Sequence, residues 1–590
     1  MSKAPRRYLW TARAATSWLD SRQAGRRGGE YRTPVWGFPL LMKIQASKMR
    51  KTPAALLAAC SLGLGLWACG GSGGLDSDGK PGMPDNAPRL NAPSATTRPG
   101  DPAPIGAQPV ANTPVADMPS HEGHSPIAEP SPQPSLAEPQ TLPATPRFTR
   151  EWVVSSSGSD SGDGSAAQPF RSIAKAISVA GPGEVVRVLA GTYAERIVLG
   201  DNAKAGSAGA PITLQGEGKP RIVPGSGSGA LVQVRRPYWI IDGFELDAQR
   251  QPFYAVTFQG NVKGSTLANS ELHHGTHGAA VTTYDSATGA VIENNHIHDF
   301  VKSSGNQDSH GVVVQPTSRD ITVRNNDIHD NSGDSVQCLG PEGFSSLPPA
   351  DGLVIENNHF YANRENAVDI KTCHHVTIRH NKMHGFKPSS TAKGDAVVVH
   401  YSARDVVIED NEVYDSGKGI SVGGNHEGPV PSGVVVRRNR VHDITKQGGG
   451  EGTAIRLENS EGTVLVNNTV TRADTALILG HGTGGATSNV QVENNLIAES
   501  QVAVSLGSQR PGLKMGHNLF PSGARFQANG KAVDLVGFQQ AAGDSTSSTG
   551  NAGAAPPAFG PDSVAVDRGT NVGLPFCGGA PDIGAVETGC

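Results

Sequence analysis

Short runs of alternating apolar and polar residues recur along the middle of the chain, and each leads into the same phrase. Ile321-Thr322-Val323-Arg324 and Val406-Val407-Ile408-Glu409 are two such runs. One residue after each comes an Asn, then any residue, then an apolar residue and a His or Tyr. The phrase begins at Asn295, Asn326, Asn358, Asn381, Asn411 and Asn439, in weaker form at Asn468, Asn495 and Asn518, and in degenerate form at Gly243 and Ser270. From Asn295 onward the copies lie between 23 and 32 residues apart, a period that marks stacked repeats. Two-residue alternation with Gly, Asn and Asp between the runs predicts two or three short strands per repeat. The three-and-four spacing of a helical solenoid is absent. The expected fold is therefore all-β, a coil of parallel strands in which each Asn stacks on the next, its amide bonding to backbone and to its neighbour.

On these repeats the chain resembles the right-handed parallel β-helix family of extracellular proteins, which includes many polysaccharide lyases. The resemblance spans roughly Phe148 to Glu587, with the β-helix proper expected over 148–525 and a Gly/Ser-rich segment and cap over 526–590. At the amino-terminal end, Gly-x-Asp within Gly158–Gly164, then Pro169-Phe170-Arg171-Ser172-Ile173 and Ala190-Gly191-Thr192-Tyr193, resemble the first module of many secreted β-helix proteins. Pro169 suits the first turn of a helix whose apolar face is Phe170, Ile173, Ala174 and Ile177. Such a helix would cover an edge that otherwise invites aggregation. The Gly158–Gly164 loop reads as a turn favoured by Gly and Asp, with a calcium loop as the other possibility.

Length and composition fit this picture. The chain has 590 residues, 36% of them apolar, and a formal charge of −4, which leaves no basic footprint for nucleic acid. Residues 1–48 show no period and read as a non-native extension. Met49-Arg50-Lys51, the apolar run Ala54–Trp67 and Leu66-Trp67-Ala68-Cys69-Gly70 resemble a bacterial lipoprotein signal over 49–69. That resemblance implies lipid on Cys69 and a membrane anchor, with the protein at the outer membrane or cell surface, or otherwise secreted or periplasmic. The apolar run is too short to span a bilayer. Residues 70–147 are rich in Pro, Gly and Ser, and 17 of the 42 prolines fall between Pro81 and Pro146, so an extended tether is expected. Of six cysteines, Cys577 and Cys590 are placed to close a small loop in an oxidising compartment. A monomer is expected.

The second strand of successive repeats overlays without gaps. Gly311–Gln315, Ser335–Leu339, Ala367–Lys371, Ala396–His400, Gly419–Gly423 and Ala454–Glu458 line up on their apolar alternation. Val312, Val314, Val336, Cys338, Val368, Ile370, Val397, Val399, Ile420, Val422, Ile455 and Leu457 then share the inward face. Gln315, Gln337, Asp369, Lys371, His400, Arg456 and Glu458 face outward. The corner just before these strands carries His310, Asp334, Asn366 and Asp395 in turn. Because neighbouring strands lie about 4.8 Å apart, Gln337, Asp369, Lys371 and His400 should form one patch. A second outward column of His298, His329, Tyr361, His384, Tyr414 and His442 reads as a stacked ladder. His273, His274 and His277 cluster, but at no zinc spacing.

A rigid face bearing acid, base and amide groups suits a sugar chain. Uronate polysaccharides are cleaved by β-elimination, which needs a base, a positive charge against the carboxylate and a proton for the leaving oxygen. The expected catalytic set is Lys371, His400, Asp369 and Asp334, with Lys371 or His400 as base; Gln315, Gln337, Arg456, His310 and Asp395 are expected to bind substrate. Asp369 beside Lys371 disfavours the lysine as base, since a carboxylate raises its pKa, whereas His400 starts nearer the needed value. The motif order is similar to that of family 9 pectate lyases, where an Asp cluster holds calcium and a Lys one turn later is the base. Asn331-Ser332-Gly333-Asp334-Ser335-Val336-Gln337 keeps one of the three Asp in that family's Asn-Ser-Asp-Asp-Gly-Phe-Asp. Asn366-Ala367-Val368-Asp369 stands where that family has Asn-Gly-Phe-Lys, with Lys371 two residues on. The resemblance implies Ca2+ as cofactor and an acidic polysaccharide as partner. Two other functions fit the same face. One is hydrolysis by Asp334, Asp369 and Asp395; the other is glycan binding without catalysis.

Overall fold

The structure, a computed structural model, describes residues 148–302, 308–339, 347–424, 429–446, 449–481, 487–552 and 563–590. The expected extension, leader with Cys69 and tether lie outside the described residues. The chain winds into a right-handed parallel β-solenoid of three sheets, each with fourteen strands. The first sheet runs from Glu151–Val154 to Lys514–Gly516 and the second from Ile197–Leu199 to Lys531–Val533. The third runs from Thr192–Ala194 to Ser548–Thr549. Each strand pairs with its counterpart one turn away, so all pairs are parallel until Phe526–Ala528 meets Lys531–Val533 antiparallel at the end. Apolar residues of all three sheets fill the lumen; Ile292, Val323, Ile328, Phe360 and Ile378 have no solvent exposure.

The Asn ladder forms one corner of the coil. The Asn358 amide donates to Val323 O and to Asn381 Oδ1, both at 2.9 Å, and its own Oδ1 accepts the Asn326 backbone N–H at 2.9 Å. The same bonds run from Asn295 through Asn518, with Ser270 and Ser547 extending the ladder at its ends. The corner turns because the residue before each ladder Asn is left-handed: Asn294, Asn325 and Asn357 have φ of 56°, 55° and 57°. Asn tolerates that region better than other non-Gly residues, which accounts for the repeated Asn-Asn pairs.

The imidazole and phenol column stacks on the outer face of the third sheet. Ring centroids are 5.3 Å apart for His298 and His329, 4.5 Å for His329 and Tyr361, and 4.6 Å for His384 and Tyr414. Burial, with the positive charge of neighbouring histidines, holds His296 and His384 below the ordinary imidazole value; His298 and His329 face the first, His359 and Lys382 the second. The folded state therefore favours neutral rings. That stabilisation is present above the unfolded pKa of about 6.5 and is lost as pH falls from there toward the folded values. The melting temperature should drop across this window, and less so in His296→Gln; identical slopes in both proteins would refute a role for His296, which lies beside the column.

Helices close both ends. The first, Ile173–Val179, differs from expectation in its start: Ser172 is its N-cap, accepting from the Lys175 N–H, so Pro169 lies before the helix. Its buried face is Ile173, Ala176 and Ile177, while Ala174 is exposed. Phe170 is instead bridged to Val154 in extended backbone. In the Gly158–Gly164 loop, Asp160 accepts from the Arg171 and Ser172 N–H groups and Asp163 from Ser165, as a turn requires. At the far end a helix over Leu535–Ala542 is capped by Asp534 and terminated by left-handed Gly543. Its buried Phe538 stacks on Phe526 at 4.6 Å. Cys577 and Cys590 are bonded to each other. A second disulfide, Cys338–Cys373, lies wholly inside the coil, both sulfurs' residues being fully buried.

Candidate active site

Six consecutive strands of the second sheet carry the polar face: β1 (His310–Val314), β2 (Val336–Cys338), β3 (Val368–Ile370), β4 (Asp395–Val399), β5 (Lys418–Gly423) and β6 (Thr453–Glu458). Their register pairs Val313 with Gln337, Gln337 with Asp369, Asp369 with Val398, Val398 with Ser421 and Ser421 with Arg456. Val312, Val336, Val368, Val397, Ile420 and Ile455 point into the lumen, fully or almost fully buried. Successive residues of a strand alternate faces, so Gln337 and Asp369 stand outside on adjacent rungs. Lys371 and His400 also stand one rung apart, since the His400 N–H donates to Ile370 O at 2.9 Å.

Asp369 is the centre of the arrangement. Its Oδ1 lies 2.8 Å from His400 Nε2, its Oδ2 lies 3.6 Å from Lys371 Nζ, and Gln337 Nε2 donates to Oδ2 at 3.4 Å. Burial alone would push the Asp369 carboxyl up, but the charges of Lys371 and His400 hold it well below the usual range. The side chains of Lys371 and His400 retain 14% and 17% of their exposure, so both line a recessed face that solvent reaches. Tyr401 packs against His400 at 4.2 Å, and its ring lies 5.8 Å from Lys371 Nζ.

Behind this group sits a sealed brace. Asp334 has no exposure; its Oδ1 accepts the Asn366 N–H and Nδ2 at 2.9 and 2.8 Å, and its Oδ2 takes Gln337 Nε2 at 2.9 Å. His310 Nδ1 lies 3.1 Å from the same Oδ2. Burial disfavours charge on His310, yet the Asp334 carboxylate more than offsets this and raises its pKa above the ordinary imidazole value. Glu365, pressed by burial and by Asp334, is pushed up to about 7. It also takes a bond from Thr391 and lies 3.2 Å from Arg364 Nη2.

The site residues expected from the sequence therefore divide. Asp369, Lys371, His400 and Gln337 come together. Asp334 is on the same face but fully buried beneath it, where it holds Gln337 and Asn366, and His310 lies with it. Asp395 belongs to another group, bonded by Ser421 and 3.5 Å from Lys418. Arg456, three rungs from Asp369, is held by Glu458 at 2.7 Å and Glu451 at 2.6 Å and is not placed to neutralise charge at His400. Gln315 aligns with Leu339, two rungs from Lys371. Glu365, Lys418 and Tyr401 are additions that strand alternation does not reveal: Glu365 and Tyr401 lie at corners, and Lys418 is the first residue of β5, beside Asp395 on the neighbouring rung.

The donor set around Asp334 does not fit calcium. That ion takes six to eight oxygens, several of them carboxylates. Here the one carboxylate of the turn already has nitrogen donors on both oxygens.

This chain belongs to the right-handed β-helix family, whose profile matches residues 252–394 and 386–551. It is similar to the uncharacterized protein YwoF of Bacillus subtilis (strain 168), 23% identical over 392 residues that cover 62% of this chain and 79% of that protein. Among solved structures it is similar to pectate lyase Pel9A, at 16% identity and TM-score 0.38, covering 75% of this chain and 97% of the other. It is also similar to the PL6 family alginate lyase AlyGC, at 17% identity and TM-score 0.43, covering 63% and 55%.

Proposed function

We propose that this protein is a carbohydrate-active enzyme that cleaves an acidic, uronate-containing polysaccharide by β-elimination on the outer face of β2–β4. The observation that carries the reading is the Asp369 carboxylate shared between Lys371 and His400. An ionised Asp369 favours a charged Lys371, which suits the lysine to pair with the sugar carboxylate and unsuits it as base. His400, oriented through Nε2 by Asp369, takes the proton from the carbon α to that carboxylate. The electron pair forms the new double bond, the bond to the glycosidic oxygen breaks, and that oxygen takes a proton from water. Gln337 supplies an amide beside the reacting ring, and Tyr401 an aromatic face. Hydrolysis is the weaker reading, because Asp334 is sealed and Asp395 is engaged by Lys418 and Ser421. Through a lipid on Cys69 and the Pro-rich stretch that follows, the enzyme would work tethered to an envelope.

Incubation with polygalacturonate and with alginate tests the proposal. Ultraviolet absorbance of an unsaturated uronate product is expected with one of them. New reducing ends without that absorbance would mean hydrolysis, and binding with neither would mean a glycan-binding protein; either result refutes elimination.

A further inference from the structure

The third sheet, away from the face just described, carries a second cluster whose chemistry is different. The strand Glu271–Gly275 pairs with Glu245–Gln251 so that His273 lies directly beside Asp247, and the register then slips between His273 and Gly275. The slip is a bulge, with His274 in left-handed backbone at φ 57°. Adjacent residues of a regular strand point to opposite faces; here the bulge turns both imidazoles the same way. Their Nδ1 atoms lie 2.5 Å apart, and Asp247 Oδ1 is 3.7 Å from each.

We propose that His273, His274 and Asp247 form a binding site for a divalent transition metal of the zinc class. Two imidazole nitrogens and a carboxylate are ligands that zinc accepts, whereas calcium and magnesium prefer oxygen alone. Bonds of about 2.0–2.1 Å to each nitrogen in a tetrahedral site require the two Nδ1 atoms to stand about 3.3 Å apart, an opening of under about 1 Å that side-chain rotation can supply. The surroundings have the form that metal ligands need. His273 Nε2 faces Glu245 Oε1 at 3.3 Å, which places that ring's proton on Nε2 and leaves the Nδ1 lone pair toward the cluster. Asp247 is itself fixed, its Oδ1 accepting the Gln249 N–H at 2.7 Å and its Oδ2 paired with Arg221. Asp247 and His273 are buried, while the His274 side chain keeps 35% of its exposure and offers the way in. His277, the third histidine of the sequence cluster, is not a ligand; it packs on Tyr254 at 4.2 Å.

The full chain, stripped with chelator and titrated calorimetrically with Zn2+, is expected to bind a single tight equivalent. Asp247→Asn and His274→Asn should weaken it by about 10–100-fold or more. Asn suits the left-handed position, and unchanged circular dichroism would show that the coil is intact. His296→Gln removes the residue common to two other groupings on this sheet, with Glu271 and His298 and with Asp327 and His329; it should leave the affinity unchanged. Cobalt bound in place of zinc should show ligand-field absorption that both cluster variants lose. No tight binding by the wild-type chain, wild-type affinity in either cluster variant, or loss in His296→Gln would each overturn the assignment.

Discussion

Replacing His400 by Gln should lower the rate of unsaturated product formation by about 10²–10⁴-fold, the usual worth of a positioned general base. The effect should fall on kcat, because the ring acts on the proton in transit. Lys371→Met should act differently. Losing the ammonium that faces the sugar carboxylate weakens substrate binding, so KM rises, and kcat falls as well to the extent that negative charge grows on the carboxylate during proton removal. Asp369→Asn keeps the shape of the side chain but deprives His400 Nε2 and Lys371 Nζ of their shared anion, and should impair both parameters. Steady-state kinetics on whichever uronate polymer is cleaved will separate these cases. If His400→Gln retained wild-type kcat, the histidine would not be the base.

Asn358→Ala should be the most destabilising single change in the coil outside the lumen. The truncation removes three buried interactions at once: the donor to Val323 O, the acceptor of the Asn326 backbone N–H and the acceptor of one Asn326 amide N–H, the other of which keeps Ile292 O. A buried group left without a partner costs about 1–3 kcal/mol, so a loss of several kcal/mol is expected. In a solenoid, each turn leans only on its neighbours. Hydrogen exchange should therefore quicken around residues 323–381 before it does at the ends. Asn358→Asp keeps an acceptor for Asn326 but loses the donor to Val323 O and to Asn381, and buries a charge. A urea midpoint for Asn358→Ala equal to that of the exposed control Lys382→Ala would count against the ladder as a source of stability.

The register of β1–β6 in the second sheet is legible in the sequence because, apart from Val313 and Val398, their apolar residues alternate with polar or small ones. A slip of one residue would turn Val368 and Ile370 to water and Asp369 to the lumen. The Asn corner is legible for the same kind of reason, a requirement repeated each turn. What escapes are features set by a single corner. Glu365 reaches Asp334 only through the turn before β3, and Lys418 meets Asp395 because β5 begins one residue earlier than its apolar run. The pairing of Cys338 with Cys373 hides behind a separation of 35 residues, a distance in sequence that one rung erases. The closing helix at Leu535–Ala542 sits amid Gly and Ser, yet Asp534 before it and Gly543 after it are ordinary boundary signals. The zinc-class cluster escapes because its third ligand, Asp247, precedes the histidines by a full turn.

The internal disulfide has a consequence for how this protein must be made. Cys338 ends the strand before Asp369, and Cys373 follows Lys371 by two residues, so the bond ties down the segment that presents both. Once wound, the coil shuts both sulfurs away from glutathione and enzymes alike. Oxidation has to come before winding is complete, and material matured in a reducing cytosol would carry two entombed thiols beneath its chemistry, beyond repair by any oxidant added afterwards.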